Sequence, residues 1–135
     1  MDVLQLKIAL PLLLLLQLLF LLLGIAYNAA SILQTRSGGR PLTPNSPEGG
    51  ILALLIYGIC LTTGFNGSHL LYRGLMALFL FLIGYVGIIR HCIGYARTPE
   101  LYTSGLTWFG AVAINLFGIL LNLLAATGRF TTAMD

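Results

Sequence analysis

Charge is what this sequence has least of. Only 8% of its 135 residues are Asp, Glu, Lys or Arg, while 58% are hydrophobic. Soluble domains carry about 25% charge. With a mean hydropathy of +0.94, that scarcity excludes a separate soluble domain and places nearly the whole chain in or beside a bilayer. The seven Lys and Arg residues give a net charge of +3. In such a chain they set topology and touch anionic headgroups. No basic run or aromatic stacking array points to nucleic acid.

Cysteine and histidine are equally sparse, two of each. Cys60 falls inside one apolar segment and Cys92 near the far end of the next. Antiparallel packing sets them roughly 20 Å apart along the helix axis, well beyond the ~7 Å between Cα atoms that a disulfide tolerates. Two free thiols are expected. His69 and His91 flank one helical segment, roughly 33 Å apart at 1.5 Å per residue, so they cannot share a metal or haem within one protomer. No metal or haem cofactor is expected. Ionisable side chains are missing from mid-span, which argues against a proton relay or transporter.

What is present is four long apolar segments, predicted to form helices over about 8–33, 50–65, 70–89 and 106–127. Each approaches the roughly 20 residues needed to cross about 30 Å of hydrocarbon. The expected fold is all-α, a four-helix transmembrane bundle forming a single integral membrane domain over residues 1–135. The first apolar run exceeds the 7–15 residues of a signal peptide core, so it reads as an uncleaved helix, with Pro11 tolerated in its first turn. Residues 34–50 form the one long polar stretch. In it, Ser46-Pro47-Glu48 has the grammar of a helix start: a cap, a proline at the first position and an acid in the first turn. The short turn Asn66-Gly67-Ser68-His69 makes the second and third helices antiparallel neighbours. Asn28, Asn115 and Asn122 are amides expected to face other helices, the last two sharing a face at a spacing of seven. Arg36, Arg40, Arg90 and Arg97 lie on the side of the first and third loops, against Lys7, Arg73 and Arg129 on the terminal side. The balance leans toward cytoplasmic first and third loops.

The third segment, GLMALFLFLIGYVGIIRHCIGY, organises the rest. It is uncharged from Gly74 to Ile89 and ends in Arg90, His91, Cys92 and Tyr95. The same side of the membrane carries Arg36, Arg40, Asn45, Glu48, Arg97 and Glu100. Arginine offers paired contacts to carboxylate or phosphate, and amides, carboxylates and phenols can orient a polar ligand. The plainer alternative is a set of headgroup-level residues, with arginines snorkelling and tyrosines in the interfacial belt.

Two motifs go further. IIRHCIGY, residues 88–95, resembles the third-helix signature Arg-x-x-His-x-x-x-Tyr of the MAPEG family (membrane-associated proteins in eicosanoid and glutathione metabolism), through His91, Gly94 and Tyr95. Asn45-Ser46-Pro47-Glu48 is similar to that family's Asn-x-x-Glu at the start of its second helix. Helix number, a polar first loop and a short second turn extend the resemblance over nearly the whole chain. The sequence departs from the pattern where Ile88 replaces the opening arginine. The third loop offers Glu100, Leu101 and Ser104 with only Arg97 basic. The resemblance implies a MAPEG-like homotrimer in a bacterial inner membrane or a eukaryotic endomembrane. It implies glutathione as co-substrate and a transferase- or isomerase-like reaction on a lipophilic electrophile, in which a thiolate is the nucleophile. It assigns Arg40, Asn45, Glu48, Arg90 and His91 to substrate binding, and Tyr95 and Arg97 to catalysis. The competing expectation is non-catalytic: a small structural subunit packed among lipids or other membrane subunits, with Gly84, Gly87, Gly110 and Gly118 allowing close helix contact.

Overall fold

The chain is described by a computed structural model over residues 7–132; residues 1–6 and 133–135, including Met1 and the end of the C-terminal tail, lie outside the described residues. Four helices make up the bundle: α1 (Leu10–Arg36), α2 (Pro47–Phe65), α3 (His69–Arg97) and α4 (Gly105–Ala126). They hold 27, 19, 29 and 22 residues, and each is long and apolar enough to cross a membrane. The all-α four-helix architecture agrees with the hydropathy pattern.

The helix ends differ from the expected bounds for specific physical reasons. Ile8 and Ala9 are not helical. They pair in parallel with Phe130 and Thr131, and the Ile8 amide donates to the Arg129 carbonyl at 3.2 Å. Proline in the first turn sets the start of α1 at Leu10. The two-residue ladder ties the segment before α1 to the segment after α4 at one end of the bundle. At the other end α1 runs on to Arg36, and Gly38, with φ of 83°, turns the chain out of the helix as glycine commonly does. Helix α2 begins at Pro47, three residues before Gly50, because Ser46 Oγ accepts from the Gly49 amide at 3.1 Å and caps it.

Helix α3 is the longest and continues eight residues beyond Ile89. Its middle, Ile83–Ile89, winds as a π-helical segment, with the Arg90 amide donating to the carbonyl of Tyr85. Such a segment is a local widening of the helix, common at functional sites. It sits where Gly87 faces the Asn115 amide of α4, a position at which any Cβ would collide with that side chain.

Packing is uneven. α1 lies along α2 and also touches α4, and α4 packs along α3. α2 meets α3 along His69–Leu82 but draws away from Ile83–Arg97. The bundle is therefore closed near the Asn66–Ser68 turn and parted at the opposite end.

The closed half is knit by a buried polar cluster. Gln17 Nε2 donates to Asn122 Oδ1 at 3.0 Å and to Met76 Sδ at 3.2 Å. Tyr57 donates to the same Asn122 oxygen at 2.9 Å, and Tyr72 donates to Gln17 Oε1. All four helices thus contribute one side chain or more to one network. Gln17, Tyr72 and Asn122 are fully buried and Tyr57 nearly so. Among the described residues the Asn122 amide nitrogen has no partner. Asn122 and Asn115 both turn inward from α4, as their spacing predicts.

Close helix approach depends on Gly118 as well as Gly87. A Cβ at Gly118 would lie 2.5 Å from the ring of Phe20, itself buried on α1. Gly118→Ala should therefore destabilise the bundle by about 1–3 kcal/mol through overpacking, measurable as a lowered midpoint of SDS-driven unfolding followed by circular dichroism. Gly84, in contrast, faces open space, so Gly84→Ala serves as a control.

Candidate functional site

The parted end is organised by its two loops. Loop 1 (residues 37–46) and loop 3 (residues 98–104) are stitched together by short-range donors. The Thr103 amide donates to the Leu42 carbonyl at 3.3 Å. Thr103 Oγ1 donates to the Pro41 carbonyl at 2.9 Å, and Thr107 Oγ1 to Leu42 at 3.2 Å. Gln34, at the end of α1, donates to the Arg40 carbonyl at 2.7 Å. The Leu42 amide donates to Ser31 Oγ at 3.0 Å. These bonds hold Thr43–Ser46 over the end of the bundle.

Beneath them lies His91. It is buried at 5% exposure, with Asn45 Nδ2 3.1 Å from Nε2 and the Tyr102 hydroxyl 3.1 Å from Nδ1. The Asn45 amide nitrogen can only donate, which makes Nε2 the acceptor and leaves the ring proton on Nδ1, directed at Tyr102. The Tyr102 hydroxyl in turn donates to the His91 carbonyl at 3.2 Å, and Trp108 Nε1 donates to that carbonyl at 3.2 Å. Burial raises the Tyr102 phenol above its ordinary pKa, with nearby Cys92 adding to the rise and Arg90 opposing it. The hydroxyl therefore keeps its proton through the neutral range. His91 is thus a fixed neutral joint between α3, loop 1 and loop 3.

Below this joint a cavity of about 500 Å³ runs into the bundle. Every helix lines it, through residues such as Gly24 and Tyr27 of α1, Ala53 and Leu54 of α2, Val86 of α3 and Ile114 of α4. Its floor is aromatic: Phe20 and Phe79 each meet Tyr57 edge-on, with ring centroids 5.4 and 5.0 Å apart. Its rim is polar, formed by Asn28, Asn45, Ser46, Arg90 and His91. The π-helical segment of α3 contributes Ile83, Val86 and Gly87 to the wall. The half-exposed Leu82 also lines the space, on the side where α2 and the upper part of α3 stand apart. The cavity therefore reaches the gap between α2 and the upper part of α3, with the exposed Leu82 on its wall. Such an apolar body with a few convergent polar groups is the usual form of a small-molecule site, and its size is within the common range of about 300–1,000 Å³.

The structure brings together three of the residues singled out from the sequence: Asn45, Arg90 and His91. It separates the others. Arg40 is exposed on loop 1, where its guanidinium donates to the Glu100 carbonyl. Glu48 is exposed in the first turn of α2 beside Ser46 Oγ, 3.4 Å away. Tyr95 shares a helical face with His91, because α3 continues past Arg90. Its ring stacks on Trp108, with centroids 4.6 Å apart, and it lies edge-on to Tyr102. Arg97 is exposed at the end of α3. Neither Tyr95, Arg97, Arg40 nor Glu48 lines the cavity. Cys60 and Cys92 are free thiols. His69 lies at the far end, against Phe130 at 5.9 Å.

Sequence reasoning missed Tyr27, Tyr57 and Tyr102, the phenols that line the cavity or brace its rim, and also Gln17. For Gln17 a signal existed: it is the one polar side chain between Pro11 and Gly24, and a lone amide in a leucine run faces other helices for the same reason as Asn28. Phenols carry no such signal, because tyrosine is equally at home in the interfacial belt.

No protein-family model, curated protein or solved structure matches the chain.

Proposed function

We propose that this protein is a multi-pass integral membrane protein that binds a lipophilic molecule inside its own bundle, taken up sideways from the bilayer. The observation that carries this reading is the cavity lined by all four helices, with the exposed Leu82 on its wall where α2 and the upper half of α3 stand apart. A guest arriving through that gap need not leave the hydrocarbon, and burial of its apolar surface supplies roughly 25 cal/mol per Å².

The glutathione-dependent reaction on a lipophilic electrophile is the catalytic form of the same reading. It is favoured by Asn45, Arg90 and His91, three of the assigned substrate-binding residues, meeting at the rim of the space where the electrophile would lie. Tyr95, stacked on Trp108, would have to leave that stack to reach a sulfur at the rim. In this form the protein is a homotrimer with glutathione as co-substrate, and the first and third loops are cytoplasmic.

Both forms are tested on the purified full-length protein in phosphatidylcholine nanodiscs. Saturable binding of dodecanol, one guest per chain, is expected. Its absence from folded protein overturns the binding reading. Calorimetric titration with glutathione separates the two forms: binding that weakens about 10- to 150-fold in Arg90→Ala, the loss of one charge-assisted contact, supports the catalytic form. Dodecanol binding without glutathione binding leaves a lipophile-binding protein with no transferase activity.

A further inference from the structure

The charge around the cavity is one-sided. Among the described residues Arg90 is the only charged side chain that lines it, and no Asp or Glu does. His91 is held neutral by Asn45 and Tyr102. The Arg90 guanidinium makes no hydrogen bond to any described residue, whereas Arg40 and Arg73 are occupied by the carbonyls of Glu100 and Ala126. Among the described residues this exposed cation at the rim of an apolar space has no counter-charge. Beside it, Asn45 spends one amide hydrogen on His91 and has a second to give.

The dimensions fix the rest. Arg90 at the rim and Phe79 at the floor are eleven residues apart on α3, at most about 16 Å at the α-helical 1.5 Å per residue. The floor is closed by the edge-on rings of Phe20, Tyr57 and Phe79. The gap between α2 and the upper part of α3 is the way in for a chain lying in the bilayer, and Arg90 is the first charged residue after the uncharged run Gly74–Ile89 of α3.

We infer, building on the lipophile-binding reading above, that the guest is a single-chain amphiphile with an anionic head, the head on Arg90 and Asn45 and the tail against Phe20, Tyr57 and Phe79. A carboxylate and a phosphate offer the same chemistry to the guanidinium, which binds either through paired contacts. The neutral chain gains only the burial of its tail. The anionic chain adds a charge-assisted contact at the rim.

The test compares laurate, dodecyl phosphate and dodecanol, each radiolabelled, binding to the full-length protein in zwitterionic phosphatidylcholine nanodiscs. At least one of the two anions is expected to bind about 10- to 100-fold more tightly than dodecanol, and the tighter of the two identifies the head. That advantage disappears in Arg90→Gln and is largely kept in Arg90→Lys, which retains the charge. It is unchanged in Arg36→Gln, which removes an exposed charge from the same end of the bundle away from the cavity. Equal binding of the anions and dodecanol overturns the inference, as does an anion advantage that survives Arg90→Gln, and both results leave the lipophile-binding reading standing. No saturable binding of any of the three overturns both. The wild-type comparison stands even where a variant fails to fold.

Discussion

Replacing Gln17 with leucine is expected to destabilise the bundle by about 1–3 kcal/mol, the cost of leaving buried hydrogen-bonding groups without partners. Single polar contacts between membrane helices average only about 0.6 kcal/mol, with a maximum near 1.7. Gln17 lies toward the upper end because one substitution removes bonds to Asn122, Met76 and Tyr72 together. It strands the Tyr72 hydroxyl in a fully buried place. Asn122, whose amide nitrogen already lacks a partner, loses a further bond. SDS-driven unfolding followed by circular dichroism gives the value. The double variant Gln17→Leu, Tyr72→Phe should lose less than the sum of the two single changes, because it removes donor and acceptor together. Leu15→Ala, at a position 61% exposed on the outer face of the same helix, should change stability by no more than about 0.5 kcal/mol. If Gln17→Leu is as mild as Leu15→Ala, the network does not hold the four helices in register.

The second large effect concerns the cavity. Val86→Trp places an indole into the space between the π-helical wall of α3 and the facing helices. A buried tryptophan covers about 150–250 Å², and displacing a comparable area of guest at ~25 cal/mol per Å² removes about 4–6 kcal/mol of binding. Dodecanol binding should therefore weaken by more than about a hundredfold. Helical content and unfolding midpoint should stay near those of the wild type, since the added ring fills open space rather than packed core. Binding that persists in this variant would place the guest elsewhere on the protein.

The fold was legible where one physical constraint dominated. Four apolar segments of spanning length leave the backbone no alternative to helices in a bilayer, and Ser46-Pro47-Glu48 marked the start of α2 through the requirements of capping. The legibility failed where the constraint was tertiary. Ile8 and Ala9 read as part of the first helix by hydropathy, yet they pair with Phe130 and Thr131 from the other end of the chain, a contact that no local window contains. The π-helical segment is invisible to periodicity, because a widening of a few residues shifts the apolar pattern too little to be seen in a span that is apolar all round. Its consequence is functional, since it supplies the wall below Arg90 and His91.

The candidate site was half legible for the same reason. Arginine, histidine and asparagine stand out against a leucine background, so Asn45, Arg90 and His91 could be found as residues. Which of the polar groups at that end share a space depends on how loop 1 lies over loop 3, and that is decided by bonds from Gln34, Thr103 and Thr107 to backbone carbonyls. Those bonds place the Arg40 guanidinium on Glu100, and ring stacking places Tyr95 on Trp108, both outside the cavity. Side-chain identity alone gives no sign of either.

The central claim is that a lipophile lies inside the bundle, and photo-crosslinking tests it most directly. Dodecanol carrying a diazirine near the end of its tail is equilibrated with the full-length protein in nanodiscs, irradiated, and the adducts are mapped by peptide mass spectrometry. The account predicts adducts on inward residues of several helices, Leu54, Val86 and Ile114 among them, that excess unlabelled dodecanol suppresses. Adducts confined to outward residues such as Leu15, Ile59, Phe81 and Leu120, undiminished by competitor, would contradict it.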